Sequence, residues 1–265
     1  MRFGLSIASA ILLSAAWCSA NTLTDPFGQS QSSCNLTIDT PYSTCDVIGD
    51  EMRFDIEAAT FSSSNGIATL MIYLNSGAVQ NVNGKLTLGS FSDGVTLVPG
   101  DVFFYNPTSV YDPSDSNTIQ YLKYGVALTN HGSFTAGGLY SIGGGISTET
   151  AQTALNNDTA DYYRRDETVL MTGSGTPVSS GAVSVALNGD GKTSAQYAIT
   201  ITLPSTTGLS SIESNGQIGL LFSSADCGND VIQGTVGAPE PGPVVLILTG
   251  LVLLAAGRYW RKRKA

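Results

Sequence analysis

Apolar and polar positions alternate along much of the chain. Met52, Phe54, Ile56 and Ala58 fall on one side of an extended segment, with Arg53, Asp55 and Glu57 on the other. Val183, Val185 and Leu187 repeat the pattern, as do Tyr197, Ile199, Ile201 and Leu203 set against Thr200 and Thr202. A period of two is that of a strand with one buried face. Asn188-Gly189-Asp190-Gly191-Lys192 separates the last two runs. Asn-Gly and Asp-Gly tolerate the positive φ of a tight reversal, so the two runs are predicted to pair as a hairpin. Ile67 to Leu74, Asp101 to Tyr105, Ile119 to Leu128 and Ile218 to Phe222 are more continuously apolar and read as strands buried more fully.

Between these runs lie turn clusters: Asn81-Val82-Asn83-Gly84, Ser92-Asp93-Gly94 and Pro113-Ser114-Asp115-Ser116-Asn117. One helix is expected over Thr148 to Leu155, capped by Ser147, with Glu149 in the first turn and Asn156-Asn157 ending it. No 20 to 50 residue repeat is visible, which disfavours propellers and solenoids. Thirty glycines and only 12% charged residues fit many short strands joined by turns. The expected fold is mainly β, a single antiparallel β-sandwich with one short helix.

Both ends depart from this pattern. Arg2 precedes the apolar stretch Phe3 to Ala16, and Cys18-Ser19-Ala20 offers small residues where a signal peptidase reads. Residues 1–20 are therefore expected to be a signal peptide and Asn21 the mature start. Lipidation at Cys18 is disfavoured by the bulk of Trp17 before it. At the other end Ala238-Pro239-Glu240-Pro241 leads into the uncharged run Pro243 to Gly257 and then Arg258-Tyr259-Trp260-Arg261-Lys262-Arg263-Lys264-Ala265. The prolines stop strand pairing, the apolar run partitions into lipid as a transmembrane helix, and the basic end stays cytoplasmic. The run is short of the roughly 20 residues a spanning helix wants, and snorkelling of Arg258 with interfacial Tyr259 and Trp260 extends it.

The order Pro239-Glu240-Pro241, apolar helix, then Arg258, Arg261, Lys262, Arg263 and Lys264 resembles the PEP-CTERM sorting signal of bacterial exported proteins. The resemblance covers residues 238–265 and concerns address rather than activity. It implies a membrane-embedded exosortase as processing partner, anchoring by the C-terminal helix before processing, and a final place at the cell surface or in the extracellular matrix, in association with exopolysaccharide. Gly242-Pro243 departs from the family's usual continuation and leaves the processing point open. Cys227-Gly228-Asn229-Asp230-Val231-Ile232 is similar to a stretch found just before the motif in other such proteins. The same tail occurs on some proteins labelled ice-binding.

Removing both ends leaves a body, 21–237, with six Lys and Arg residues against 20 acids, a formal charge near −14. That balance excludes nucleic acid and anionic lipid headgroups as charge-driven partners; cations or neutral polymers suit it better. The body retains Cys34, Cys45 and Cys227, an odd number, in a chain bound for an oxidising compartment. A Cys34–Cys45 bridge would stabilise by roughly 3 kcal/mol on the chain-entropy model. A bridge to Cys227 would instead tie the first and last strands; the short separation favours the local pair without deciding it.

Catalytic chemistry is sparse. His131 is the one histidine, in Thr129-Asn130-His131-Gly132-Ser133, and reads as a turn residue with no partner motif. No Gly-x-Ser-x-Gly elbow, Cys/His metal spacing or nucleotide fingerprint is present, so no catalytic residue, metal or cofactor is expected. Gly143-Gly144-Gly145 reads as a turn. Asp112, Asp115 and Asn117, or Asn188 and Asp190, would suit calcium, yet neither set has the closing Glu of an EF-hand loop and both read as turns. Asp161, Asp166 and Glu167, beside Tyr162, Tyr163, Arg164 and Arg165, would be a glycosidase's carboxylates only if they converged in a cleft. The reading that results is a non-enzymatic envelope or matrix protein, structural or adhesive. Its alternative is a carbohydrate-binding or carbohydrate-cleaving β-sandwich, disfavoured because Trp17 and Trp260 both lie in the processed ends and leave the body without tryptophan.

Overall fold

The computed structural model describes residues 22–24, 54–64, 66–76, 80–82, 85–87, 98–109, 111–112, 115–150, 168–187, 196–204, 208–214, 216–223 and 231–237. These are mainly β-strands, in chain order β1 (Thr22–Thr24), β2 (Phe54–Ser64), β3 (Ile67–Ser76), β4 (Gln80–Val82), β5 (Lys85–Thr87), β6 (Val102–Tyr105), β7 (Leu122–Val126) and β8 (Gly138–Ser141). There follow β9 (Ile146–Thr150), β10 (Thr168–Gly173), β11 (Ser179–Ser180), β12 (Ala182–Leu187), β13 (Tyr197–Pro204), β14 (Gln217–Ser223) and β15 (Val231–Gly237). The helices among the described residues are two short 3-10 segments, Ser116–Tyr121 and Leu209–Ser211. None is long and apolar enough to cross a membrane. The leader 1–20 and the tail 238–265, with Pro239, Glu240, Pro241 and the basic end, lie outside the described residues, as do Cys34, Cys45 and Cys227.

A five-stranded sheet runs β1-β2-β3-β13-β12 and a six-stranded sheet runs β11-β8-β7-β6-β14-β15, every pairing antiparallel. One apolar core lies between them. Ile56, Ala59, Phe61, Leu70, Ile72, Leu74, Ile199 and Ile201 come from the first sheet; Val102, Phe104, Val126, Ile218, Leu220 and Phe222 come from the second. The alternation in β3 and β13 produces this face directly, since residues two apart share a side. β12 and β13 pair from Ala182↔Thr202 to Leu187↔Tyr197, the hairpin that the Asn-Gly-Asp-Gly connection predicts. The pairing of Val82 with Lys85 likewise leaves a two-residue link at Asn83-Gly84 between β4 and β5.

The six-stranded sheet buries its other face as well. Phe103, Tyr105, Leu122, Ala127, Tyr140 and Leu221 form a second cluster with Tyr111, Phe134, Ile146, Met171 and Val231. Part of the cover is a separate two-stranded ribbon, β9 with β10. This double burial explains why Asp101 to Tyr105 and Ile218 to Phe222 read as continuous apolar runs rather than alternating ones.

Two expectations are corrected. The helix over Thr148 to Leu155 does not form at its start: Ser147, Thr148, Glu149 and Thr150 belong to β9, paired with β10. Two β-branched threonines suit a strand, and Ser147 Oγ shares a hydrogen bond with Thr172 Oγ1 at 2.9 Å across the ribbon instead of capping a helix. Residues 151–155 lie outside the described residues. In β2, Ile56 and Ala58 do not share a face. Ile56 pairs with Leu74 and Ala58 with Tyr73, so Glu57 is the extra residue of a bulge. Ala59 and Phe61 therefore join Ile56 in the core, and Ala58 packs outside with Tyr73 and Ala198.

Gly143-Gly144-Gly145 turns the chain out of β8 into the ribbon. Gly143 and Ile146 exchange backbone hydrogen bonds of 2.8 and 3.1 Å around Gly144 and Gly145, whose φ values are 61° and 113°. Both are in the region that side chains rarely adopt, so the triple glycine marks a reversal.

Candidate functional site

The densest polar chemistry among the described residues lies beneath the β9–β10 ribbon. Gly100 leads into β6 and carries no side chain for a reason: a Cβ there would lie 2.6 Å from Ser223 O and 2.7 Å from Val169 O, backbone on both sides. The same close approach lets Gly100 N–H donate to Ser223 O (2.9 Å) and Asp101 N–H donate to Val169 O (2.8 Å). Asp101 is thereby fixed between β14 and β10. Its side chain points to the same face as Phe103 and Tyr105 and is only 1% exposed. Met171 N–H donates to Asp101 Oδ2 at 2.7 Å.

His131 reaches the same carboxylate from a tight turn. His131 and Phe134 bond through their backbones around Gly132 and Ser133, so the turn character read from sequence holds. The absence of a partner does not. Nε2 stands 3.2 Å from Asp101 Oδ2, and the side chain is 22% exposed. That distance is an ion-pair contact whose angle falls short of a hydrogen bond, since Nε2 finds no hydrogen-bonding partner among the described residues. The other nitrogen, Nδ1, is 3.0 Å from Thr129 O. A carbonyl oxygen only accepts, so Nδ1 carries a proton and the state of Nε2 is what titrates. The ring lies 5.2 Å from Phe134, which meets Tyr140 edge-on at 4.9 Å.

Burial pushes the Asp101 carboxyl above its ordinary range, against the opposing pull of His131 and of the Met171 and Leu128 backbone. Burial alone would lower His131; the neighbouring Asp101 outweighs it and holds the imidazole above its usual value. The two shifts differ in origin, burial for Asp101 and the neighbouring Asp101 charge for His131. A proton on Nε2 suits the closed pair, because without it two acceptors would face each other. Glu149 on β9 is within electrostatic reach of both: burial raises its carboxyl, His131 lowers it and Asp101 raises it.

The constellation holds an acid and a histidine, with Nδ1 on Thr129 O and Nε2 turned to Asp101, and among the described residues no serine is hydrogen-bonded to the ring in the manner of a triad. Ser133 Oγ donates instead to Gly173 O at 3.1 Å. Other candidates resolve locally. Asp115 Oδ1 accepts from Asn117 N–H (2.9 Å) and Nδ2 (2.7 Å), capping the 3-10 segment that begins at Ser116. Thr118 Oγ1 donates towards Asp112 O, 2.6 Å away, and so closes the same turn. Among the described residues no group of three His, Cys, Asp or Glu side chains is placed to hold a metal. Asp161, Asp166, Glu167, Asn188 and Asp190 lie outside the described residues.

Asp101 is the site residue that the sequence reading passed over. The signal was there: an acid heading a wholly apolar strand, in phase with Phe103 and Tyr105, must be buried and must find a partner. Comparison of the chain with protein-family models, with curated proteins and with solved structures finds no match.

Proposed function

We propose that the chain is a non-enzymatic exported protein of the cell envelope or extracellular matrix, its body a single antiparallel β-sandwich, sorted through a PEP-CTERM-like tail and structural or adhesive in association with exopolysaccharide. The observation that carries the reading is the pairing of a leader at 1–20 with the tripartite tail at 238–265 around a strongly acidic β body. Two features of the body support it. The chain's one histidine turns both ring nitrogens towards protein oxygens, Nδ1 to Thr129 O at 3.0 Å and Nε2 to Asp101 Oδ2 at 3.2 Å. Among the described residues aromatic side chains go mainly into the cores: Phe61, Tyr73, Phe103, Phe104, Tyr140 and Phe222 are all buried, and Tyr121 is the one aromatic among the large exposed apolar side chains.

Expressed in a host that contains an exosortase, the protein is expected to begin at Asn21 and to lose its tail near Pro239 to Pro241. Intact mass of the recovered protein measures this. Product that still carries Arg258 to Ala265 would contradict sorting and leave a plain single-pass anchor.

A further inference from the structure

We propose that Asp101, His131 and Glu149 form a proton-dependent clasp that holds the β9–β10 ribbon on the outer face of the six-stranded sheet and releases it as the medium turns mildly alkaline. The ribbon is a two-stranded unit outside both large sheets, and such a unit is marginal without cover. Its polar attachment among the described residues centres on Asp101, while Ile146 and Met171 pack into the apolar cluster beneath. The Asp101 N–H bonds to Val169 O, the Met171 N–H bonds to the Asp101 carboxylate, and the two ends of β10 are held by Tyr111 O–H on Thr168 Oγ1 (2.8 Å) and by Ser133 on Gly173 O.

Among the described residues, the titratable groups facing this point are Asp101 at the head of β6, His131 from the 131–134 turn and Glu149 from β9. β10 contributes backbone only, through Val169 and Met171. With a proton on Nε2, one cation lies within reach of two carboxylates, one beneath the ribbon and one on it. When that proton leaves, Nδ1 keeps its hydrogen on Thr129 O, so a bare Nε2 faces Oδ2 and no cation among the described residues balances Asp101 against Glu149. A buried, unbalanced carboxylate is hydrated or neutralised, and here hydration means lifting the strand above it. The sign follows: a histidine raised by folding contributes below its unfolded pKa of 6.5 and loses that contribution as pH rises through its folded value. Lifting the ribbon would bare part of the aromatic layer around Phe103, Phe134 and Tyr140.

Native-state amide exchange of the purified full-length protein, read by mass spectrometry as protection factors, tests the clasp. Between about pH 6 and about pH 8.5, protection over 146–150 and 168–173 is expected to fall severalfold more than over 67–74, since the titrating histidine faces the ribbon and not that strand. Glu149→Gln removes the repulsion without touching the core and is expected to blunt that fall. His131→Gln should show the lowered protection already at the acidic end. A ribbon whose protection tracks 67–74 at every pH would overturn the proposal, as would a Glu149→Gln protein with the wild-type pH dependence.

Discussion

Replacing His131 with alanine is expected to destabilise the fold by about 3 kcal/mol near pH 6, several times what a turn residue on the surface would cost. The alanine protein leaves Asp101 buried with no partner for the charge, and breaking a buried pair from one side costs more than the pair is worth intact. The figure lies at the low end of that range because the carboxyl, already pushed up by burial, can take a proton itself. Denaturant unfolding of both proteins across pH measures it. The difference should shrink as pH rises through the raised His131 value, since the wild type then loses the same proton. Asp101 acts in the same direction in its own window: its folded value is raised from 3.8, so its contribution is complete below that and declines as pH rises through the folded value. Asp101→Asn, which keeps the shape and removes the charge, should flatten the profile. An alanine protein within about half a kcal/mol of wild type at every pH would return His131 to the ordinary surface class.

Phe104→Ala is expected to cost about 3 to 5 kcal/mol, with the midpoint of unfolding falling accordingly. Phe104 is fully buried, lies on the inner face of β6 and packs in the core shared by both large sheets, so its loss leaves a cavity that neither sheet can close alone. Leu187→Ala is the matched control. That side chain ends the edge strand β12, is 75% exposed, and should change stability by no more than about half a kcal/mol. Equal effects of the two would show that the shared core does not carry the fold.

Strand content was legible because period-two alternation is a direct record of burial on one face. Tyr197, Ile199, Ile201 and Leu203 were read correctly for that reason, and all four line the shared core. The alternation misled at Glu57, where a bulge advances the phase by one residue and no composition marks it. The segment 147–150 was misread because Ser, Thr and Glu also make a good helix start; only the partner strand β10 decides between the two, and pairing with a distant strand leaves no local trace. The same limit hid the site. His131 was picked out as the only histidine, but its neighbour Asp101 lies 30 positions away in sequence and meets it only once the six-stranded sheet exists.

The first and last of the described strands lie together: Leu23 of β1 packs so closely on Gly234 of β15 that a Cβ there would sit 2.6 Å from the leucine side chain. A chain made from its N-terminus delivers Leu23 early and Gly234 late. Contacts between such remote positions form slowly, because the whole intervening chain has to be gathered before they gain anything. The edge where β1, β2 and β15 meet is therefore expected to be completed last, once Val231–Gly237 is available to join it.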